Sequence, residues 1–195
     1  LAPSAISDTS GVGDGLASGD LNGDGLADVV LSLRSESKVH ILLGDGKGGL
    51  HRQTTLTIPD APRRAEPPRA PLDTRATPIR LADLNHDGKL DLVLGFATSS
   101  PLVALGAGDG SFGPAQSAPV EGDTALCALQ LADLDGDGHL DLIALTDTVQ
   151  VLRGSGDGHF GAPRLFTDGN LQPRDVHVGD MDGDGKPDLF LVNDF

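Results

Sequence analysis

Apolar residues in this chain fall in short runs separated by clusters of Gly, Asp, Asn and Pro. Four of the runs are Val29-Val30-Leu31, Leu92-Val93-Leu94, Leu142-Ile143-Ala144-Leu145 and Leu189-Phe190-Leu191-Val192. Their near-continuous hydrophobicity suits strands buried on both faces. A shorter apolar stretch, such as Leu129-Gln130-Leu131-Ala132, stands one polar segment earlier. A third run follows, as in Val39-His40-Ile41-Leu42-Leu43 and Val149-Gln150-Val151-Leu152, and a fourth, as in Thr54-Thr55-Leu56-Thr57-Ile58. The 27 glycines and 13 prolines leave little room for long helices. The pattern predicts four short strands per unit of about 50 residues, and radial repetition of such sheets is the propeller architecture. The fold class expected is therefore all-β, a β-propeller or partial propeller of about four four-stranded blades.

The polar segments between the first and second strands are copies of one nonapeptide. They begin at Asp20, Asp83, Asp133 and Asp180, spaced 63, 50 and 47 residues apart. Gly44-Asp45-Gly46, Gly108-Asp109-Gly110 and Gly156-Asp157-Gly158 follow the first three copies, 17, 18 and 16 residues after the last Asp of the nonapeptide. They read as hairpin turns, where Gly and Asp tolerate positive φ. The expected repeats run approximately over 1–50, 51–112, 113–160 and 161–195, the last stopping midway after its second strand. The gap from Asp45 to Asp83 is 38 residues, against 24 and 23 for the later equivalents. An insertion of about 14 residues, rich in Pro and Arg, accounts for it and places a polar loop over 59–79. Its simplest role is a solvated, variable loop; docking onto an acidic partner is the alternative.

Each nonapeptide carries side-chain oxygens at positions 1, 3, 5 and 9 and Gly at position 6. Calcium takes six to eight oxygen ligands, and alternate residues of a tight loop can turn theirs inward. The expected ligands in the first loop are Asp20, Asn22, Asp24, Asp28 and the backbone carbonyl of Leu26. In the second they are Asp83, Asn85, Asp87, Asp91 and the carbonyl of Lys89. The third offers Asp133, Asp135, Asp137, Asp141 and the carbonyl of His139. The fourth offers Asp180, Asp182, Asp184, Asp188 and the carbonyl of Lys186. These loops hold 14 of the 29 acidic residues. Two carboxylates 5 Å apart repel by roughly 3 kcal/mol at an effective dielectric near 20, and a divalent ion relieves that repulsion. About four Ca2+ sites follow, and four such ions would bring the formal charge from -15 to -7. Magnesium, which prefers a smaller octahedron and keeps its waters, suits the loops less well. An EF-hand is rejected, because the bidentate Glu it needs at position 12 is replaced by Leu31, Leu94, Ala144 and Leu191.

The motif D-x-[DN]-x-D-G-x-x-D followed by an apolar strand resembles the FG-GAP/VCBS repeat, which the integrin α-subunit head and many secreted bacterial proteins carry. The later Gly108-Asp109-Gly110-Ser111-Phe112-Gly113-Pro114 and Gly156-Asp157-Gly158-His159-Phe160-Gly161-Ala162-Pro163 belong to the same resemblance, while Leu50 stands where Phe is usual in the first copy. Nearly the whole chain is covered except roughly residues 59–79. The resemblance implies a β-propeller, usually of seven blades, with calcium in the loops between the first two strands of the blades.

The remaining composition narrows the partners. A net charge of -15 argues against nucleic acid or an anionic membrane, and no apolar run approaches the roughly 20 residues of a spanning helix. With no Trp, no Tyr and six Phe, the means of stacking on sugars or bases are few. Cys127, the single cysteine, excludes an internal disulfide and reads as a buried, inert thiol in an apolar strand. The six His are scattered, and His86 and His139 are expected to face solvent. No Gly-x-Ser-x-Gly elbow or ordered triad appears. The first residue, Leu1, and the lone Met181 suggest a mature or excised segment. The expected function is a non-enzymatic, calcium-stabilised, extracellular or cell-surface module for binding, adhesion or assembly. Its partner would be a protein, a glycan, or neighbouring copies of itself joined through edge strands. The alternatives are a domain of a secreted calcium-dependent polysaccharide lyase or hydrolase, and a carbohydrate-binding lectin.

Overall fold

Runs of Leu, Ile and Val bounded by Asp-Gly segments leave the chain one economical solution, which is to pair each run with the next in antiparallel hairpins. A computed structural model describes residues 13–33, 38–57, 78–95, 100–122, 126–166 and 173–193. The described residues form fourteen strands in meander order. The first sheet comprises β1 (Gly13–Gly19), β2 (Asp28–Leu33), β3 (Lys38–Gly44) and β4 (Leu50–Thr57). The second comprises β5 (Ile79–Ala82), β6 (Asp91–Leu94), β7 (Leu102–Ala104) and β8 (Gln116–Ser117). The third comprises β9 (Ala128–Ala132), β10 (Asp141–Leu145), β11 (Val149–Leu152) and β12 (Arg164–Phe166). β13 (Pro173–Gly179) and β14 (Asp188–Asn193) form a fourth, two-stranded sheet. All pairings are antiparallel. No described helix is long and apolar enough to cross a membrane. The inserted loop expected over 59–79 falls outside the described residues except at Pro78 and Ile79, the latter the first residue of β5.

The first strands β1, β5, β9 and β13 neighbour one another in that order, so the sheets stand side by side like propeller blades. Hydrophobic cores fill the gaps between them. Val30, Val39 and Ile41 of the first blade meet Ile79, Leu92 and Leu94 of the second. Val93 and Val103 meet Leu129 and Leu142 of the third, and Ile143, Leu145 and Val149 meet Val176 of the fourth. Alternation along each strand sends successive side chains to opposite gaps, which is why the second strands are apolar throughout. Each fully buried Leu or Ile contributes roughly 1.5–3 kcal/mol. A polar seam also crosses the blades. Arg80 Nε donates to Gln130 Oε1 at 3.2 Å, and Gln130 Nε2 donates to the Val176 carbonyl at 3.2 Å. Burial pulls the Arg80 guanidinium down from its ordinary value, and the Asp175 carboxylate opposes that.

The structure adds one detail to the sequence reading and corrects another. Outer strands are short in the later blades, two residues in β8 and three in β12, whereas β4 has eight. Cys127 is half-buried just ahead of β9, where its N–H donates to the Leu145 carbonyl and its thiol lies 3.7 Å from the Thr146 carbonyl oxygen.

Candidate metal centres

Each nonapeptide joins the first strand of its blade to the second, at equivalent positions in all four sheets. The loop is wound around its first carboxylate. Asp20 accepts from the N–H groups of Gly23, Asp24 and Gly25, and Asp133 accepts from Gly136 and Gly138. Asp83 and Asp180 repeat the contact to the position-6 glycine at 2.9 Å each. Position 3 in turn accepts from the N–H of position 5, as Asn22 does from Asp24 and Asp135 from Asp137. Position 5 accepts from position 7, as Asp24 does from Leu26 and Asp137 from His139. Such a winding needs left-handed backbone at positions 4 and 6, with φ of 76° and 79° at Gly23 and Gly25. These N–H donors hold charge in the loop. For Asp20 the Gly25 N–H is foremost, and the carboxyl stays below its ordinary value. At Asp133 loss of solvation pushes upward, but the N–H groups of Gly138, Gly136, Asp137 and Asp135 outweigh it and the net shift is down.

Position 9 does something more. Asp28, Asp91 and Asp141 are buried, and each carboxylate bridges two backbone donors. One oxygen accepts from position 2 of its own loop (Leu21, Leu84, Leu134), and the other from a glycine at the end of the third strand (Gly44, Gly106, Gly154). Asp188 keeps the first contact, to Met181 N at 2.9 Å. At Asp91 burial pushes the carboxyl up, the Gly106 and Leu84 N–H groups pull it back, and Asp87 and Asp83 add to the rise. A Cβ on Gly44, Gly106 or Gly154 would strike the carbonyl oxygen of Ala27, Leu90 or Leu140, so the position-8 peptide lies flat on these glycines.

The carboxylates fit a hard cation in two loops. Oxygens of Asp133, Asp135 and Asp137 all lie within 4.8 Å of one another, as do those of Asp180, Asp182 and Asp188. Two oxygens on one calcium ion lie at most about 5.2 Å apart, twice the longest usual Ca–O distance. In the first two loops position 3 is Asn, so Asn22 and Asn85 supply an amide oxygen where the later loops have a carboxylate. Cationic side chains also approach the loops. Arg153 pairs with Asp135, Lys89 Nζ stands 3.6 Å from Asp87, and Lys186 Nζ stands 3.3 Å from Asp184.

Two relations escaped the sequence reading. Gly44-Asp45-Gly46 is not the counterpart of the later Gly-Asp-Gly segments. The closing bond Asp45 N to Gly49 O corresponds to Ala107 N to Ser111 O and Ser155 N to His159 O. Gly46-Lys47-Gly48 is thus the equivalent turn, with φ of 67° and 91° at its glycines. Leu50 pairs with Gly44 as Phe112 pairs with Gly106 and Phe160 with Gly154. The signal was present in the Gly that follows each position-9 Asp by 16, 15 or 13 residues. The second relation is that His86 and His139, read as separate solvent-facing residues, meet. His86 is exposed and His139 half-buried, with Nε2 of one 3.2 Å from Nδ1 of the other.

The FG-GAP-like repeat profile matches residues 20–94, 83–144 and 133–191, each match opening on the first Asp of a nonapeptide. The chain belongs to the FG-GAP-like repeat family. Among solved structures, its fold is similar to that of an Agrocybe aegerita lectin that specifically recognises non-reducing terminal N-acetylglucosamine. The two share 24% identity at a TM-score of 0.54, over 80% of this chain and 38% of the lectin. The V. cholerae biofilm matrix protein Bap1 is similar at 21% identity and a TM-score of 0.50, over 90% of this chain and 23% of Bap1. This FG-GAP-like chain therefore spans well under half of either relative, and both likenesses are of fold. No curated protein matches the sequence significantly.

Proposed function

We propose that this FG-GAP-like segment is a calcium-stabilised, non-enzymatic binding module of an extracellular or cell-surface protein. The observation that carries the reading is the sameness of the four acidic loops: each winds N–H donors around its first Asp and fixes its last Asp to the neighbouring backbone. A catalytic centre would set the oxygen positions or the winding of one loop apart from the rest. Calcium would be held by Asp20, Asn22, Asp24 and Asp28; by Asp83, Asn85, Asp87 and Asp91; by Asp133, Asp135, Asp137 and Asp141; and by Asp180, Asp182, Asp184 and Asp188. The carbonyls of Leu26, Lys89, His139 and Lys186 complete the four sets. When bound, the ion neutralises the clustered carboxylates and stiffens the turn between first and second strands. Extracellular sites of this type work at affinities of order 10⁻⁴–10⁻³ M, which suits a compartment rich in calcium.

A glycan is the favoured ligand class, supported by fold likeness to an N-acetylglucosamine-recognising lectin. The repeats are proposed as units of about 1–50, 51–112, 113–160 and 161–195. Glycan-array binding with and without chelator, beside a lyase and hydrolase screen, tests the reading. Calcium-dependent glycan retention with no bond cleavage is the expected outcome, and turnover of a polysaccharide would replace it with the enzyme reading. Association of copies is the second partner class. A solution mass above one chain in calcium is its expected signature.

A further inference from the structure

We propose that His86 and His139 form a two-imidazole site for a borderline divalent cation such as zinc, bridging the loops of the second and third blades. The nitrogens His86 Nε2 and His139 Nδ1 are 3.2 Å apart, and the ring centres are 5.3 Å apart with planes inclined at 48°. Two nitrogens bound to one tetrahedral zinc ion, each at about 2.0–2.1 Å, lie roughly 3.3–3.4 Å apart with ring centres about 5.2 Å apart. In the metal-free chain a single N–H joins the two rings as a hydrogen bond, and replacing that proton by one shared ion needs a change in nitrogen separation of only about 0.1–0.2 Å. Imidazole nitrogen prefers zinc, copper or nickel, whereas the all-oxygen loops on either side prefer calcium, so the two kinds of site would sort their metals by ligand chemistry.

The loops position the rings differently. His139 lies against Gly156 of its own blade, where a Cβ would strike its Cε1 and Nδ1 atoms, and the same Nδ1 faces His86 of the second blade. His86 sits at loop position 4 with φ of 59°, where the other three loops have glycine at φ of 76° to 80°. A histidine held in left-handed backbone costs more than the glycine found elsewhere, and in this loop its ring stands beside His139. Two protein ligands leave two coordination positions for water or for an oxygen or nitrogen donor of a bound partner.

Zinc titration with calcium held saturating tests the site and keeps it separate from the acidic loops. The wild-type chain is expected to bind one zinc ion, with the ¹⁵N resonances of His86 Nε2 and His139 Nδ1 both moving. Losing even an outer-sphere partner costs 10–100-fold in metal affinity, so His86→Gly or His139→Gln is expected to weaken binding by at least about tenfold. His86→Gly installs the residue of the other three loops, and its melting temperature and calcium count should not fall. Replacing His51, His159 and His177 together by Ala, which removes the His–Asp pairs with Asp45, Asp157 and Asp175, should leave zinc affinity within about twofold. The proposal is overturned if His86→Gly binds zinc as the wild type does, if the triple replacement abolishes binding, if only one ring responds, or if millimolar zinc does not bind.

Discussion

Asp141 combines two roles that a single substitution separates. It is a candidate calcium ligand, and it is also a buried acceptor for the N–H groups of Leu134 and Gly154. Asp141→Asn turns an NH2 toward one of those donors, and a buried donor left unsatisfied costs about 1–3 kcal/mol. The variant is therefore expected to lose about that much stability in chelator, measured by denaturant unfolding, before any calcium effect is counted. Glycine at the far end of the same contact makes a companion case. Gly154→Ala places a methyl group on the Leu140 carbonyl oxygen, and overpacking of this kind costs roughly 1–3 kcal/mol. The spacing of Asp20, Asn22, Asp24 and Asp28 announced the oxygen-rich loop. The sequence could not show that the last Asp of each copy also ties the loop to the third strand. That contact is made across 13 to 16 residues whose path the fold alone decides.

The turn between third and fourth strands shows how local chemistry sets an element. In the second and third blades Asp109 and Asp157 cap the turn, each accepting from Ser111 or Ser155 Oγ and from a backbone N–H. The serine hydroxyl is the largest cause in both, and both carboxyls are held below their ordinary value. A depressed folded-state value means that the ionised form favours the native turn. Its contribution is present above the unfolded carboxyl value of about 3.9 and is lost as pH falls through the lower folded value. NMR titration should find Ser111→Ala moving Asp109 back up toward its ordinary value while Asp157 stays put. Existence and order of strands were legible because the second strands, such as Leu142-Ile143-Ala144-Leu145, are apolar on both faces. The register of the first blade's turn was not. Gly44-Asp45-Gly46 and Gly46-Lys47-Gly48 both fit a glycine-turn pattern, and the closing bond from Asp45 N to Gly49 O together with the pairing of Leu50 with Gly44 chooses between them.

Stability of the whole array resides in the gaps between blades. Leu129 and Leu142 are wholly buried where the second and third blades meet. Leu142→Ala is expected to cost about 2–5 kcal/mol, and because each blade contacts its neighbours, the loss should propagate along the array rather than stay in one sheet. Alternation leaves Phe190 and Val192 of β14 exposed while Leu189 and Leu191 face the third blade. Blade-to-blade packing was legible in outline from the repeat, whereas the meeting of His86 with His139 was not, since the two are 53 residues apart and belong to different loops. At this scale calcium is what the four carboxylate loops are proposed to share, and counting it is the most direct test. Calcium bound per chain should be measured by equilibrium dialysis at millimolar free calcium, for the wild type and for Asp137→Ala. About four ions in the wild type, about three in the variant, and a melting temperature that falls on chelation are the expected results. No bound calcium, or an identical count in both proteins, would contradict the account.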